Sequence, residues 1–291
     1  MQEAIRKATT LIEALGWIQR FRGRYVVVKL GGSTLNDQEA VDSLLTDVVF
    51  MATVGMKPIL VHGGGSAISA AMADAGIEPR FVEGRRYTDS ATLKIASRVL
   101  VNKICPDIVE RIRHRGARST GIHFGSENAL TASPLKITTS DGTEADLGHV
   151  GHVHQVDRDL LARICSTGTI PVIPSIALDE NGHRLNVNAD SAAAAVAQSI
   201  DAEKLMFLSD IPGILTNVDD PQSRLSHITS SEVRDLISSG TIAGGMVPKV
   251  QAALDALKAG VSKVHIVDAG MPHSVLLEIY SDTGVGTEIV G

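Results

Sequence analysis

The sequence predicts an α/β fold built on a mostly parallel sheet, and three observations carry that prediction. The first is Val26-Val27-Val28-Lys29-Leu30-Gly31-Gly32, an apolar run without polar alternation, which reads as a strand buried on both faces. The second is its recurrence within about forty residues. Lys57-Pro58-Ile59-Leu60-Val61 runs into His62-Gly63-Gly64-Gly65-Ser66, so that strand, glycine turn and helix start repeat as a unit. The third is the alternation of strand and helix patterns along the whole chain, with no internal repeat, low-complexity tract or linker between them.

In chain order, residues 3–20 carry Ile5, Ala8, Ile12 and Leu15 at alternating spacings of three and four, the stripe of an amphipathic helix. Gly16-Trp17 interrupts the stripe and predicts a bend. Lys29 is the exception in the first strand. A lysine placed where a buried strand ends is aimed at an anion, and Gly31 and Gly32 let the backbone approach that anion without side chains between. The helix start that follows points its N–H groups the same way, so a phosphate site is the working premise. A helix from Asp37 to the Gly55 turn shows Ala40, Leu44, Val48 and Val49 on its face. The second glycine loop, unless it is a mere tight turn, closes on the same phosphoryl group from the other side.

Residues 81–89 read as a hairpin with Arg85 and Arg86 near its turn, where two guanidinium groups can clamp a carboxylate. Helices are expected over 90–101 and 106–115, and short antiparallel strands over 117–156. His152 and His154 share a strand face there, but no carboxylate or cysteine completes a metal set, so no metal site is expected. Residues 170–173 form another strand. Asn186-Val187-Asn188-Ala189-Asp190 leads into an alanine-rich helix, where Asp190 is either a cap or part of a polar site. The strand at 205–208 ends in Ser209-Asp210-Ile211-Pro212-Gly213. Gly244-Gly245-Met246-Val247-Pro248-Lys249 puts a second lysine at a helix start, where the dipole disfavours a cation and an anionic partner is implied. A last buried strand at 263–267 and a helix at 273–280 follow.

A formal net charge of -6 without a basic stripe argues against nucleic acid as a partner. Cys105 and Cys165 have no C-x-x-C spacing and read as reduced thiols. Glu3, Arg6, Lys7 and Glu13 precede any long apolar run, and no stretch is long enough to span a bilayer, so a cytoplasmic protein without a leader is expected. Neither glycine loop is a G-x-x-x-x-G-K-[ST] loop, no G-x-G-x-x-G follows a strand, and no Ser-His-Asp set is visible. What is left is two lysines, two glycine loops and an aspartate, a device for stabilising a transferring phosphoryl group. An ionised carboxylate as acceptor would need no general base, and no base presents itself.

Lys29-Leu30-Gly31-Gly32, His62-Gly63-Gly64-Gly65, the segment 186–190, the segment 208–213 and the segment 244–249 occur in the order found in the amino acid kinase family, which the chain resembles from about residue 5 onward. Asp146-Leu147-Gly148-x-Val150-Gly151 is a further match. The resemblance implies a three-layer αβα open sheet of the carbamate kinase type with an extra N-terminal helix. It implies an oligomerisation helix over 1–20, an amino-acid-substrate lobe over 21–187 and an ATP lobe over 188–291. The implied reaction moves the γ-phosphoryl of ATP to the γ-carboxylate of N-acetyl-L-glutamate in arginine biosynthesis, with Mg2+ held mainly by phosphates. By the same resemblance Lys29 and Lys249 neutralise the transferring group, Asp190 holds both lysines, and Gly31, Gly32, Gly64 and Gly65 stabilise phosphoryl oxygens. Gly64, Gly65, Arg86, Asn186 and Asn188 are implied to bind the amino-acid substrate, with Arg86 and Asn186 on its α-carboxylate. Ser209, Asp210, Gly213, Met246 and Lys249 are implied to serve the ATP lobe.

Two features resemble the arginine-inhibited, hexameric branch of the family. They are the N-terminal helix, which interlaces dimers there, and the segment 273–287. They imply L-arginine as an inhibitor near Trp17, Lys204, His273, Glu278 and Gly284, with Glu278 meeting its guanidinium. They also imply a homohexamer arranged as a trimer of dimers; a PII-type regulator is a further candidate partner, whose docking the sequence does not decide. Departures from the family pattern fall in the substrate half: Ser66 where proline is frequent, Tyr87 where Arg-Val-Thr-Asp is usual, and Asn102-Lys103-Ile104-Cys105-Pro106 where Gly-Lys-Val-Asn-Lys is usual. They leave N-acetyl-aminoadipate, one carbon longer, as an alternative substrate. A non-catalytic arginine-sensing module is the rival reading of a different class, against which Lys29, Asp190 and Lys249 weigh.

Overall fold

The computed structural model describes every residue except 33, 139–141, 143, 218, 244, 245 and 282. Its main sheet has eight strands, in the spatial order His227–Thr229, Thr287–Val290, Lys263–Asp268, Lys204–Ser209, Tyr25–Leu30, Lys57–His62, Thr169–Pro174 and Arg118–Gly121. All neighbours run parallel except Lys263–Asp268 and Thr287–Val290, so the expected fold class is borne out. The run that led the sequence reading is an interior strand, and Val26, Val27, Val28 and Leu30 are fully buried.

Alternation along that strand divides its side chains between two helical layers. Val27 packs with Ile59 and Val61 against Ala192, Ala193 and Val196 of the helix Ala189–Ser199. Val26, Val28 and Leu30 face Leu44, Leu45 and Val48 of the helix Gln38–Thr53, together with Ile108 and Ile112. Each fully buried valine contributes about 1.5–3 kcal/mol. The three layers therefore meet on the strand that carries Lys29.

The elements refine one expectation and correct two. The N-terminal helix, Gln2–Phe21, runs through Gly16-Trp17 without interruption. Gly16 faces open space, while Trp17 stacks on Phe21 one turn later at 6.3 Å and Arg20 lies over both rings, which holds that turn helical. The two helices expected over 90–115 are one. Ser90–Val99 continues through a π turn at Leu100–Ile104 into Cys105–His114, and the widened turn accommodates Pro106, whose ring and missing N–H disrupt a regular α-helix. Within 117–156, Arg118–Gly121 joins the main sheet in parallel instead of forming an antiparallel strand. Antiparallel pairing is found between Leu130–Thr138 and Glu144–Val156, which close into a small ring with Ile176–Leu178 and Arg184–Val187. His152 and His154 are exposed on that ring, and among the described residues no three His, Cys, Asp or Glu side chains could hold a metal. No helix of the described residues is long and apolar enough to cross a membrane.

Candidate functional site

Parallel pairing in register, Leu30 beside His62, brings the two glycine loops out of the sheet at one level. They touch. A Cβ on Gly32 would lie 3.1 Å from the Gly65 nitrogen, and Ser66 Oγ donates to Gly32 O at 3.0 Å and to Asn36 Oδ1 at 3.2 Å. Ser66, one of the departures, thus ties one loop to the other. Gly64 is pressed from below by the π turn: a Cβ there would meet Ile104 Cδ1 at 2.7 Å and Leu100 Cδ2 at 2.9 Å. Beneath the second loop, His62 is fully buried and its Nδ1 donates to Gly63 O at 3.0 Å. Burial pushes this imidazole down to about 4, so it is neutral at pH 7.

The loops floor a cavity of about 250 Å³ that is also lined by Lys29, Arg86, Asn186 and Asp190. Lys29 Nζ sits 2.7 Å from Asp190 Oδ1. The choice the sequence left open is settled for the cap, because Asn188 Oδ1 accepts from Ser191 N at 2.9 Å and caps the helix. Asp190 is left in the first turn, where the helix dipole favours its charge and the ammonium of Lys29 lies within reach.

Among the described residues Asp190 pairs with Lys29, and Lys249 pairs with Asp210. Lys249 lies in the first turn of the helix Met246–Lys258 and donates to Ser209 Oγ and Asp210 Oδ1 at the end of the strand Lys204–Ser209. Hydrogen bonding from Lys249 holds the Asp210 carboxyl below its ordinary range. The anionic partner expected for a lysine at a helix start is therefore Asp210, which is nearer to it than Asp190 in the fold. Gly244 and Gly245 lie outside the described residues. Met246 packs against the apolar core, and Gly213 abuts Thr287, whose Oγ1 accepts from Ile214 N at 2.8 Å.

Across the cavity, Arg86 is clamped by the protein. Its Nη2 donates to Gly65 O at 3.0 Å and to Ser69 Oγ at 2.7 Å, and its guanidinium lies 4.8 Å from the Phe81 ring centre. Asn186 Nδ2 donates to Thr88 Oγ1 at 3.1 Å. Ser69 escaped the sequence reading because one serine on a helix carries no pattern; its position one turn after Gly65 was the only hint.

A second cavity, of about 320 Å³, gathers Trp17, Lys204, Glu278 and Gly284 with Arg20 and Glu288. Glu278 is buried and accepts from His265 Nδ1 at 2.6 Å, Val285 N at 2.7 Å and Gly286 N at 2.8 Å. It lines the cavity with both oxygens already engaged by the protein. Gly284, at φ +64, is required because a Cβ would come within 2.5 Å of Glu278 Oε2. The less buried acidic group is Glu288, bound by Lys263 Nζ and His227 Nδ1, each at 2.8 Å. Burial raises its carboxyl, but those hydrogen bonds outweigh burial and bring it to about 2. His273 is absent from the lining of this cavity; its Nδ1 lies 2.6 Å from the buried Asp47 Oδ1. Glu288 and His265 were not legible beforehand, since sheet register alone sets Met206, His265 and Glu288 abreast.

The amino acid kinase family model matches residues 24–268. The acetylglutamate kinase of Symbiobacterium thermophilum is 43% identical over 290 residues, covering 99% of both chains. That of Methanosphaera stadtmanae is 40% identical, covering 99% of this chain and 98% of its own. Among solved structures, N-acetylglutamate synthase from Neisseria gonorrhoeae, complexed with coenzyme A and L-arginine, superposes with a TM-score of 0.80 at 25% identity. That match covers 97% of this chain, which spans only 65% of the synthase chain. Giardia carbamate kinase shares the fold, with a TM-score of 0.66 at 16% identity over 92% of this chain and 99% of its own. The glycine loops and their lysine thus sit in a framework shared along nearly the full length with these relatives, and the chain belongs to the amino acid kinase family.

Proposed function

We propose that the chain is a kinase of N-acetyl-L-glutamate, moving the γ-phosphoryl of ATP to the substrate's γ-carboxylate and giving N-acetylglutamyl 5-phosphate for arginine biosynthesis. The observation that carries this reading is the Lys29–Asp190 pair facing two touching glycine loops, with Arg86 lining the same cavity. A carboxylate oxygen attacks the γ-phosphorus, the bond to the β,γ-bridging oxygen breaks, and ADP leaves with the electron pair. No proton has to be removed from the acceptor, so the site needs positive charge and N–H donors rather than a base. Lys29 and the backbone N–H groups of Gly32, Gly64 and Gly65 supply them, and Asp190 positions Lys29. Arg86 and Asn186 hold the α-carboxylate.

Residues 21–187 form the amino-acid-substrate lobe in this reading and residues 188–291 the ATP lobe, where Lys249 exchanges Asp210 for a phosphate oxygen. Magnesium enters with the nucleotide as part of the substrate. Among the described residues no cluster of acidic side chains offers it a cage, which fits a cation held by phosphates and water. L-arginine is proposed as an inhibitor in the second cavity, its guanidinium directed to Glu288 and its carboxylate to Lys204. The arginine in the synthase structure and the charge arrangement of the cavity support this. The apolar stripe of the N-terminal helix supports a hexamer built from interlaced dimers, and family resemblance puts forward a PII-type protein as a regulator of this cytoplasmic enzyme.

Incubation with Mg-ATP, N-acetyl-L-glutamate and hydroxylamine tests the reading, because hydroxylamine traps an acyl phosphate as hydroxamate. A signal suppressed by L-arginine supports both activity and inhibition. A signal only with N-acetyl-aminoadipate reassigns the substrate, and no signal with either, while arginine still binds, favours a sensing module.

A further inference from the structure

We infer that Arg85 is a substrate-specificity residue that shares the α-carboxylate with Arg86, an inference that rests on the acetylglutamate reading above. Both arginines lie in the hairpin formed by Phe81–Val82 and Arg85–Arg86, and both line the cavity that holds Lys29. Their donors are committed differently. Arg86 Nη2 is engaged by Gly65 O and Ser69 Oγ, Nη1 faces Met72 Sδ at 3.3 Å, and the guanidinium rests on Phe81. Arg86 is thus a fixed cation with only part of its fork left for a ligand. Arg85 has neither a hydrogen-bond nor an ion-pair partner among the described residues, so its whole fork is available.

The charge balance points the same way. The charged groups lining the cavity are Lys29, Arg85, Arg86 and Asp190, and Asp190 is taken by Lys29. Among the described residues, two guanidinium charges are left facing the cavity with no carboxylate in its lining but Asp190. Placing like charges together in a half-buried cavity is unfavourable until an anion bridges them. A dicarboxylate meets that requirement when one carboxylate is at Lys29 as acceptor and the other lies between the two forks. Arg86, locked in place, sets the position of that second carboxylate, and Arg85, on the same hairpin, closes over it. Charge-assisted pairing of this kind selects for an α-carboxylate over an uncharged substituent.

The test is a set of acetylglutamate saturation curves at saturating Mg-ATP for the wild type, R85L and R85K, read by hydroxamate formation. R85L is expected to raise the KM for acetylglutamate about tenfold or more, the loss of one charge-assisted contact, with kcat and the KM for ATP within about twofold. R85K, which keeps the charge and loses the fork, is expected to fall between them. Raising NaCl from low to moderate concentration should increase the KM more steeply for the wild type than for R85L. An R85L enzyme with the wild-type KM, or one whose KM for ATP rises in parallel, overturns the inference. A wild type that makes no hydroxamate from acetylglutamate overturns the function on which it rests, so the two failures are told apart. Because Arg85 has no partner among the described residues, R85L is expected to keep the fold, checked by an unchanged thermal melt.

Discussion

Lys29 owes its usefulness to restraint. A free lysine side chain samples many rotamers, and the bond to Asp190 holds its ammonium at the mouth of the two glycine loops. Lys29→Ala is therefore expected to lower kcat by about a hundredfold to a thousandfold with circular dichroism and melting unchanged, since in the proposed reaction it removes charge stabilisation of the transferring group. Asp190→Asn keeps the shape and removes the restraint, so kcat should fall with little change in the KM for acetylglutamate, as steady-state kinetics would record. Much of this was legible. Lys29 declares itself as the one charge in a buried strand, and Asp190 as an acidic residue beside two asparagines. What could not be read was how neighbours are shared out. Asn188 and Asp190 are both cap formers, and only the backbone direction assigns the cap to Asn188. Glu278 and Glu288 look alike in sequence and line the same cavity, yet one is held by buried backbone and imidazole donors and the other is the more exposed. The depressed Glu288 carboxyl contributes stability that is present above its unfolded value near 4.5 and is lost as pH falls toward about 2. Glu288→Gln should accordingly cost on the order of 2 kcal/mol at pH 7 in urea unfolding, a gap that narrows at pH 3.5.

At the scale of elements, the π turn at Leu100–Ile104 and the second glycine loop are one packing unit. Gly64→Ala forces a methyl into Ile104 and Leu100, and overpacking of this kind costs about 1–3 kcal/mol. Leu100→Ala alone opens a cavity, at about 2–5 kcal/mol. Combined, the two changes relieve each other, so denaturant melts of the pair should show a loss smaller than the sum, the sign of direct contact. The sequence disclosed the strands because each is an unbroken apolar run. It hid the continuity of this helix because Pro106 reads as a breaker, and a pattern cannot show that a wider turn absorbs it. It hid Arg118–Gly121 as a parallel strand for a different reason: Arg-Ser-Thr-Gly carries no apolar signal, and only Ser119 is buried. Pairing with Thr169–Pro174, not propensity, makes it a strand.

For the whole molecule, the helix Gln2–Phe21 extends Ile5, Leu11, Ile12 and Leu15 into solvent while Trp17 and Phe21 reach the second cavity. Deleting residues 1–20 is expected to turn the proposed hexamer into dimers by light scattering and to weaken the proposed arginine inhibition, because the same element supplies the apolar stripe and one wall of the cavity. Hexamers that survive the deletion would place the oligomer contact elsewhere. The sheet order also bears on how the chain comes into being. The strand that carries Lys29 is flanked on one side by Lys204–Ser209, which is made roughly 180 residues later. At the usual pace of synthesis, about 5–20 residues per second, Val26 and Val28 leave the ribosome some ten seconds or more before that neighbour exists. Until then the nascent sheet has an open apolar edge, and the newborn chain depends on its partner strand arriving before another molecule pairs there.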